Sequence, residues 1–235
     1  SRAVAPQVAA AGAVAIDDSS AFRYDDNVPL VVPEVNASDL SAHEGIVAIP
    51  NCSTTPIVQV LAPLHAESPV RRVIADTYQS VSGAGGRAME ELRNQTAMLV
   101  RGDEPQMELE VFPHQIASNL IPSIDEPRDD GYSKEEWKVS AETRKIMHVP
   151  ELAVSATCVR VPVFRAHAAA ALLYGLAHVS IVQLRLSLHI RLSPGTHCPL
   201  WQVSFTVQAF ESALQEIPSG SGVHPSGLLA SLQYL

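Results

Sequence analysis

The sequence has few cysteines, and their spacing argues against the two structures that cysteines commonly build. Cys52, Cys158 and Cys198 are odd in number, lie far apart and include no CxxC pair. Disulfide frameworks need paired cysteines, and structural zinc sites need closely spaced ligands. We therefore expect neither a disulfide framework nor a metal site. A reducing cytoplasm is the compartment that fits this cysteine content best.

Positive charge is scarce as well. The chain carries 16 Lys and Arg against 25 Asp and Glu, a formal net charge of −9. Binding to nucleic acid or to an anionic membrane surface needs clustered Lys and Arg, so we expect neither as a partner. The apolar stretch from Ala168 to Leu184 is interrupted by His178 and Gln183. A membrane span needs about 20 apolar residues, so we expect this stretch to be a buried segment.

Helix and strand patterns alternate along the first hundred residues, which is typical of an α/β protein. Apolar runs predict strands over residues 13–16, 28–35, 46–49 and 70–81, of which the run over 28–35 is broken by Pro29 and Pro33. Apolar residues at helical spacing predict helices over residues 4–11, from directly after Asn51-Cys52-Ser53-Thr54 to about His65, and over 87–100. We expect Ser53 or Thr54 to cap the second helix and a tight turn over residues 82–86.

Two more elements follow a long irregular connection over residues 102–133. Ser133 and Glu136 have the spacing of a capping box, which predicts a helix from there to Met147. Residues 152–163 alternate apolar and polar side chains, which predicts a strand. Residues 193–235 are rich in Ser, Pro and Gly without clear periodicity, and we assign no element to them.

Cys52 directly precedes a predicted helix. The positive end of the helix dipole and the free backbone N–H groups there stabilise a thiolate, although a cysteine at this place can equally be a small buried hydrophobe. A thiolate that forms an acyl intermediate also needs a proton shuttle and a group that polarises the substrate carbonyl. His167 and Gln79 are chemically suitable for these two tasks.

Six motifs follow one another along the chain: Asp18-Ser19-Ser20-Ala21-Phe22-Arg23, Val32-Pro33-Glu34-Val35-Asn36, Pro50-Asn51-Cys52-Ser53-Thr54, Thr77-Tyr78-Gln79-Ser80-Val81-Ser82-Gly83-Ala84-Gly85, Gly131-Tyr132 with Glu135-Glu136-Trp137-Lys138, and Ala156-Thr157-Cys158-Val159-Arg160-Val161-Pro162-Val163 followed by His167. In this order they resemble the aspartate-semialdehyde dehydrogenase family. The resemblance runs from about residue 1 to His167.

The resemblance implies an oxidoreductase that converts 4-phospho-L-aspartate to L-aspartate 4-semialdehyde by reversible, NADP-dependent reductive dephosphorylation. This reaction is a step towards lysine, threonine and methionine, and the complete enzyme is expected to be a homodimer or homotetramer. The implied fold is α/β. It consists of the remainder of a Rossmann-type parallel sheet over residues 1–51, an α+β catalytic and dimerisation domain over 52–167, and an unmatched tail over 168–235.

The resemblance also implies a role for each matching residue. Cys52 is the nucleophile that carries the thioacyl intermediate, His167 the general acid/base, and Gln79 the residue that positions the intermediate. Arg160 holds the substrate α-carboxylate, for which a two-pronged guanidinium is suited. The remaining implied contacts are Glu135 with the amino group, Arg23 and Lys138 with Asn51 around the phosphate, and Ser82, Gly83 and Ala84 beside the nicotinamide of NADP.

One feature of a dinucleotide-binding domain is absent. The chain has no G-x-G-x-x-G at its start, and its nearest glycine cluster, residues 83–86, comes late. We therefore expect a fragment or a truncated gene product that lacks the first βαβ unit, with weak NADPH binding and little or no dehydrogenase activity of its own. We expect residues 168–235 to be foreign or out-of-frame sequence.

Two alternatives remain open. The chain could be a non-catalytic subunit or dimerisation module that keeps a substrate pocket without the cofactor, and a direct NADPH titration separates this from an enzyme. It could also be the related reductase of N-acetyl-glutamyl phosphate. The Asn51-Cys52-Ser53-Thr54 context disfavours that enzyme, as does Glu135, because an N-acetylated substrate has no free amine to pair with a carboxylate.

Overall fold

The computed structural model describes residues 1–102, 108–175, 179–185 and 228–232. The chain forms two compact units, residues 1–74 with 125–156 and residues 75–124 with those from 157 onward. In chain order the helices and strands are α1 (Ala5–Ala10), β1 (Ala15–Asp17), α2 (Pro33–Asn36), β2 (Ile46–Ala48), α3 (Thr54–Glu67), β3 (Val70–Gln79), α4 (Gly86–Arg101), α5 (Lys134–Met147), β4 (Ala153–Arg160), β5 (Ala168–Gly175), β6 (Val179–Arg185) and β7 (Leu228–Leu232). Short 3-10 helices cover Ala37–Ala42 and Val81–Ala84.

The first unit is built around a small parallel sheet. β1 and β2 pair in parallel, with Ala15 opposite Ile46. Helices α3 and α5 pack against each other in the same unit. Its core is a cluster of buried apolar side chains: Ala5, Phe22, Val28, Leu30, Val32, Ala48, Val58 and Ile146. The parallel β1–β2 pair is the part of the molecule that carries the expected Rossmann-type pattern.

The strand expected over residues 28–35 is wrong. Only Leu30 makes an isolated parallel bridge, to Ala48, and the chain then turns into α2 at Pro33. Proline cannot donate a ladder hydrogen bond, and its fixed φ suits the first position of a helix. The Asn36 side chain secures the turn, since its Oδ1 accepts from the Val32 N–H at 2.8 Å and its Nδ2 donates to the Leu30 carbonyl at 2.9 Å.

Helix α5 begins as the sequence predicts. The Ser133 hydroxyl accepts from the Glu136 N–H at 3.3 Å, and the Glu136 carboxylate accepts from the Ser133 N–H at 2.7 Å. This reciprocal pair satisfies two backbone donors at the helix start and confirms the capping box. The helix ends at His148, whose φ of 54° lies in the left-handed region.

A five-stranded mixed sheet with the order β4-β3-β5-β6-β7 follows. β5 and β6 pair antiparallel, and β6 and β7 pair in parallel. Alternate residues of β5, namely Ala169, Ala171 and Leu173, are buried. Within residues 168–175 the expected burial is therefore found on one face of the strand, whereas Tyr174 is exposed. Residues 186–227, which include most of the stretch without a predicted element, lie outside the described residues.

The second unit has its own core beside this sheet. The core contains Val81, Ala88, Leu92, Phe112, Ile116, Ala117 and Ile121. Residues 81–84 form a 3-10 helix that leads directly into α4, which is the compact form of the turn expected over 82–86. Together the two units confirm the α/β class. Among the described residues, no helix has both the length and the apolar character to cross a membrane.

Candidate active site

Cys52 is exposed at the start of α3, whereas Cys158 is buried in β4. Asn51 organises the backbone around this cysteine. The Asn51 Oδ1 accepts from the Ser53 N–H at 2.8 Å, and the Asn51 carbonyl accepts from the Thr54 N–H at 3.0 Å. The Cys52 Sγ lies 3.6 Å from the same Oδ1. The thiol is therefore held at the amino end of a 14-residue helix, where the dipole and backbone donors favour negative charge.

The expected cap by Ser53 or Thr54 is wrong. Ser53 occupies the cap position but makes no side-chain cap hydrogen bond. Asn51 takes this task instead, because its side chain hydrogen-bonds the backbone two residues ahead in the manner of an Asx turn. The Ser53 and Thr54 hydroxyl oxygens are buried and have no hydrogen-bond partner among the described residues.

Glu142 on α5 is a buried residue of this region that the sequence analysis missed. Its Oε2 accepts from the Asn51 N–H at 2.6 Å. Its Oε1 accepts from Arg23 Nη1 at 3.2 Å and from the Tyr24 hydroxyl at 2.9 Å. The Glu142 side chain is fully buried, so its charge depends on these donors for compensation. Burial, followed by the negative charge of Glu142, raises the pKa of Tyr24.

Two predicted residues, Glu135 and Lys138, extend the same network along α5. Asn51 Nδ2 donates to Glu135 Oε1 at 3.0 Å, and Lys138 Nζ donates to Glu135 Oε2 at 3.2 Å. Lys138 also donates to Asp125 Oδ2 at 2.6 Å. Burial alone would lower the pKa of Lys138, but its hydrogen bond to Asp125 and the charge of Glu135 outweigh burial and raise that pKa.

Arg23 is buried beside this network. Its Nη2 donates to the Asp18 carbonyl at 2.9 Å, and its Nε has no hydrogen-bond partner among the described residues. Lys145 fixes the segment that follows, because its Nζ donates to the carbonyls of Arg23, Asp25 and Val28 at 2.8–3.0 Å. Burial lowers the pKa of Lys145.

We call this hydrogen-bonded set the Glu142 cluster. It comprises Arg23, Tyr24, Asn51, Cys52, Asp125, Glu135, Lys138, Glu142 and Lys145. The structure thus brings together five residues that the sequence analysis proposed, namely Arg23, Asn51, Cys52, Glu135 and Lys138. A signal for the missed residue exists in the sequence: Glu135, Lys138, Glu142 and Lys145 recur at the helical spacing of core positions, where apolar residues are usual.

Ser80 is the centre of a second set of contacts, in the other unit. His167 Nδ1 accepts from the Ser80 N–H at 3.1 Å and lies 3.2 Å from the Ser80 hydroxyl. Arg160 Nη1 donates to the Ser80 carbonyl at 2.8 Å. The Ser80 and Ser82 hydroxyls are 2.9 Å apart. Ser80 therefore joins two residues that the sequence analysis proposed, His167 and Arg160, although that analysis did not single Ser80 out.

Gly83 faces both of these side chains. A Cβ at this position would lie 3.1 Å from Arg160 Nη1 and 3.4 Å from His167 Nε2. A side chain at this position would therefore occupy the space next to both nitrogens. Gly83 and its neighbour Ala84 are exposed, whereas Ser82 is half-buried.

Gln79 lies at the end of β3 and is buried. Its Nε2 donates to the Thr77 hydroxyl at 3.2 Å, and its carbonyl accepts from the Val161 N–H at 2.9 Å. His167 follows Ala166, which has a φ of 75° in the left-handed region that non-glycine residues rarely adopt. This strained residue lies two positions before the start of β5.

We call this second set the Ser80 cluster. It comprises Gln79, Ser80, Ser82, Gly83, Ala84, Arg160 and His167. The proposed site residues therefore fall into two clusters, each with its own internal hydrogen bonds. Among the described residues, no group of His, Cys, Asp and Glu has an arrangement that could hold a metal ion.

Two family models match the chain. The semialdehyde dehydrogenase NAD binding domain matches residues 1–43, and the semialdehyde dehydrogenase dimerisation domain matches residues 61–183. The second match continues beyond His167, where the motif resemblance ends. Together the two matches include most of both clusters.

Curated relatives agree with these matches. The aspartate-semialdehyde dehydrogenase of Bacillus subtilis (strain 168) is 49% identical over 174 residues, which is 71% of this chain and 50% of the relative. That of Aquifex aeolicus (strain VF5) is 52% identical over 165 residues, 69% of this chain and 48% of the relative. The chain spans about half the length of the curated relatives it matches.

Solved structures give the same result. The crystal structure of aspartate-semialdehyde dehydrogenase II from Vibrio cholerae is 46% identical with a TM-score of 0.73, covering 75% of this chain and 53% of that one. The same enzyme complexed with ASA is 46% identical with a TM-score of 0.72, covering 74% and 52%. The family matches, the relatives and the shared fold agree, and the chain belongs to the aspartate-semialdehyde dehydrogenase family.

Proposed function

We propose that this chain carries the catalytic residues for the reversible NADP-dependent reductive dephosphorylation of 4-phospho-L-aspartate to L-aspartate 4-semialdehyde. The observation that carries the proposal is the exposed Cys52 at the amino end of α3, next to an Asn51 that two buried carboxylates hold in place. Family membership supplies the substrate class. The proposed compartment is the cytoplasm, and the proposed product serves the synthesis of lysine, threonine and methionine.

In the acylation step the Cys52 thiolate adds to the acyl carbon of the substrate. A carbon–sulfur bond forms, the bond to the phosphate oxygen breaks, and phosphate leaves with that electron pair. The helix position favours the thiolate, the more reactive form of the group. Asn51 shapes the loop, since its Oδ1 lies within 3.6 Å of the thiol and also accepts from the Ser53 N–H.

The family resemblance assigns substrate binding to four charged residues, Arg160, Glu135, Arg23 and Lys138. Arg160 holds the α-carboxylate through its planar guanidinium, and Glu135 pairs with the free amino group. Arg23 and Lys138, with Asn51, receive the phosphate. Both cations already contact carboxylates, Arg23 with Glu142 and Lys138 with Glu135 and Asp125, so bound phosphate competes with these ion pairs. Arg23 Nε is a buried donor without a partner among the described residues, and it is suited to a phosphate oxygen.

The reduction step is assigned to Gln79, His167 and the residues before α4. The exposed backbone at Gly83 and Ala84 carries no side chain larger than a methyl group, so it fits the flat face of a nicotinamide. Ser82, Gly83 and Ala84 would hold that ring, and NADPH bound there would supply the hydride. Gln79 positions the acylated Cys52. After reduction, the substrate is bound to Cys52 as a hemithioacetal. His167 takes the proton of its hydroxyl group as the carbon–sulfur bond breaks, the aldehyde is released and Cys52 leaves as the thiolate.

Protection of Cys52 by substrate tests this function. Limited alkylation by iodoacetamide, read residue by residue by mass spectrometry, should modify Cys52 ahead of Cys158, and aspartate semialdehyde should slow modification of Cys52 through reversible addition of the thiol to the aldehyde. N-acetyl-glutamyl semialdehyde should protect less, because its blocked amine cannot pair with Glu135. Unprotected Cys52, or stronger protection by the acetylated compound, would contradict the proposal.

Assembly is part of the same proposal. The family model matched over residues 61–183 is a dimerisation domain, and we assign this chain a homodimeric or homotetrameric form. Light scattering coupled to size-exclusion chromatography measures the mass directly. A monomer at micromolar concentration would contradict this assignment while leaving the assignment of Cys52 intact.

A further inference from the structure

Ser80 contacts His167 through a group whose hydrogen-bonding role is fixed. A backbone N–H can only donate, so the His167 Nδ1 that lies 3.1 Å from the Ser80 nitrogen must offer its lone pair. A neutral imidazole carries one proton, on one nitrogen or the other. With Nδ1 as an acceptor, that proton resides on Nε2.

We infer that Ser80 is a positioning residue that holds neutral His167 in the tautomer protonated at Nε2, so that the proton exchange of the proposed reaction takes place at Nε2. This inference rests on the proposed function only for the role of His167 as acid/base. The tautomer itself follows from the hydrogen bond to the Ser80 backbone.

The surroundings of Nε2 fit this assignment. The Cβ that Gly83 lacks would lie 3.4 Å from His167 Nε2 and 3.1 Å from Arg160 Nη1. Both nitrogens are donors in the inferred state, and both distances are close to hydrogen-bond range. The space in front of Gly83 therefore suits oxygen atoms of the substrate: an α-carboxylate oxygen that accepts from Arg160, and the hydroxyl oxygen on the reacting carbon that exchanges its proton with Nε2.

The Ser80 hydroxyl is not needed for this tautomer. It lies 3.2 Å from His167 Nδ1 and 2.9 Å from the Ser82 hydroxyl, so it can donate to either. The backbone N–H is present whatever the side chain at position 80. The inference therefore predicts different outcomes for removal of the hydroxyl and removal of the N–H group.

Nitrogen-15 NMR of the histidine-labelled chain tests the inference. Long-range nitrogen–proton correlations distinguish the two neutral tautomers, and the His167→Gln variant identifies the His167 signals. At a pH where the ring is neutral, His167 should show an unprotonated Nδ1 and a protonated Nε2. A proton on Nδ1, or an even mixture of the two tautomers, would overturn the inference.

Two variants distinguish the Ser80 hydroxyl from the Ser80 backbone N–H as the group that fixes the tautomer. Ser80→Ala should keep the Nε2-protonated tautomer, because the N–H remains. Ser80→Pro removes that N–H, and the φ of −67° at Ser80 suits a proline ring; His167 should then lose its single tautomer. Loss of the tautomer in Ser80→Ala, or its retention in folded Ser80→Pro, would contradict the inference. If Ser80→Pro does not fold, the parent chain and Ser80→Ala still decide.

The NMR measurement tests the tautomer of His167, and the alkylation of Cys52 tests the proposed function, so the two claims can fail independently. Protection of Cys52 by aspartate semialdehyde together with a proton on His167 Nδ1 would reject the role of Ser80 and leave the function standing. A proton on Nε2 without any protection of Cys52 would do the reverse.

Discussion

The two clusters are organised in different ways. In the Glu142 cluster a buried carboxylate is the centre, and its partners are a guanidinium, a phenol and a backbone N–H. In the Ser80 cluster the N–H and carbonyl groups of one residue are the centre, and they orient an imidazole and a guanidinium. A charged centre depends on the identity of one side chain. A backbone centre depends on the path of the chain and tolerates changes of side chain at that position.

Removal of the charged centre should have the largest effect. Glu142→Ala leaves Arg23 as a buried cation without its carboxylate and the Asn51 N–H without an acceptor, which should lower the free energy of unfolding by about 3–5 kcal/mol. Urea denaturation followed by circular dichroism measures it. Glu151→Ala, at an exposed position, is the control and should change stability by less than about 0.5 kcal/mol. A similar change for both variants would show that the Glu142 cluster is not held by this carboxylate.

Arg160→Lys tests whether the Ser80 cluster depends on shape rather than charge. The ammonium keeps the charge but cannot reproduce the planar fork that donates to the Ser80 carbonyl and is assigned to the substrate carboxylate. We expect affinity for aspartate semialdehyde to fall by about 10- to 100-fold, roughly 1.4–2.7 kcal/mol, with the fold preserved. Calorimetry measures the Kd. Unchanged affinity would remove Arg160 from substrate binding.

Gly83→Ala should have a smaller effect of the same kind. The added methyl group would lie 3.1 Å from Arg160 Nη1, and the long arginine side chain can move to relieve that contact. We expect affinity to fall by about 3- to 10-fold, up to roughly 1.4 kcal/mol. Gly86→Ala is the matched control, because nothing lies within 4 Å of its added Cβ. Equal affinities of the two variants would show that the space at Gly83 is not used.

The pH dependence of the Asp125–Lys138 pair should be the smallest effect. Burial alone would raise the pKa of Asp125, but hydrogen bonds from Lys138 and from the Glu126 N–H lower it below its ordinary value. A lowered folded-state pKa stabilises the fold above the unfolded value near 4 and loses this contribution as the pH falls below it. Because Asp125 is partly exposed, we expect about 0.5–1 kcal/mol.

Thermal unfolding between pH 2 and pH 7 checks this expectation. Asp125→Asn should be less stable than the parent at pH 7 and should approach it at acid pH. Parallel curves for the two proteins across this range would contradict an ion pair at Asp125. On the alkaline side the sign is opposite: the pKa of Lys138 is raised, so its contribution is present below about 10.5 and is lost above its folded-state pKa.

Local patterns predicted most of the elements. Ser133 and Glu136 lie within one helical turn, so their capping box could be read from the sequence and the structure confirms it. The period-two pattern of β4 and the helical pattern of α3 are local in the same sense. The strand expected over residues 28–35 was wrong because Pro33 begins a helix there. The preference of proline for the first position of a helix decided the structure, although the run is apolar.

The centres of the two clusters could not be predicted in this way. Glu142 meets Arg23 across 119 residues and Asn51 across 91, and no local pattern indicates such pairing. Ser80 acts through backbone atoms that every residue possesses, so its identity carries no signal. The start of α3 is stabilised by Asn51 and not by the Ser53 side chain. The Asn51 Oδ1 accepts a hydrogen bond from the Ser53 N–H, two residues ahead, and Asn51 itself donates to the carboxylates of Glu135 and Glu142.

Helix α5 has a further consequence for how this protein can change over evolutionary time. Glu135, Lys138, Glu142 and Lys145 are separated by three, four and three positions, which keeps them in phase on one side of the helix. A single inserted residue between Lys138 and Glu142 would rotate everything beyond it by about 100°. Glu142 would then leave Asn51 and Arg23, and Lys145 would leave the carbonyls of residues 23–28. An insertion or deletion between Glu135 and Lys145 would therefore separate these residues from their partners, whereas a substitution on the outer side of α5 would leave the contacts in place.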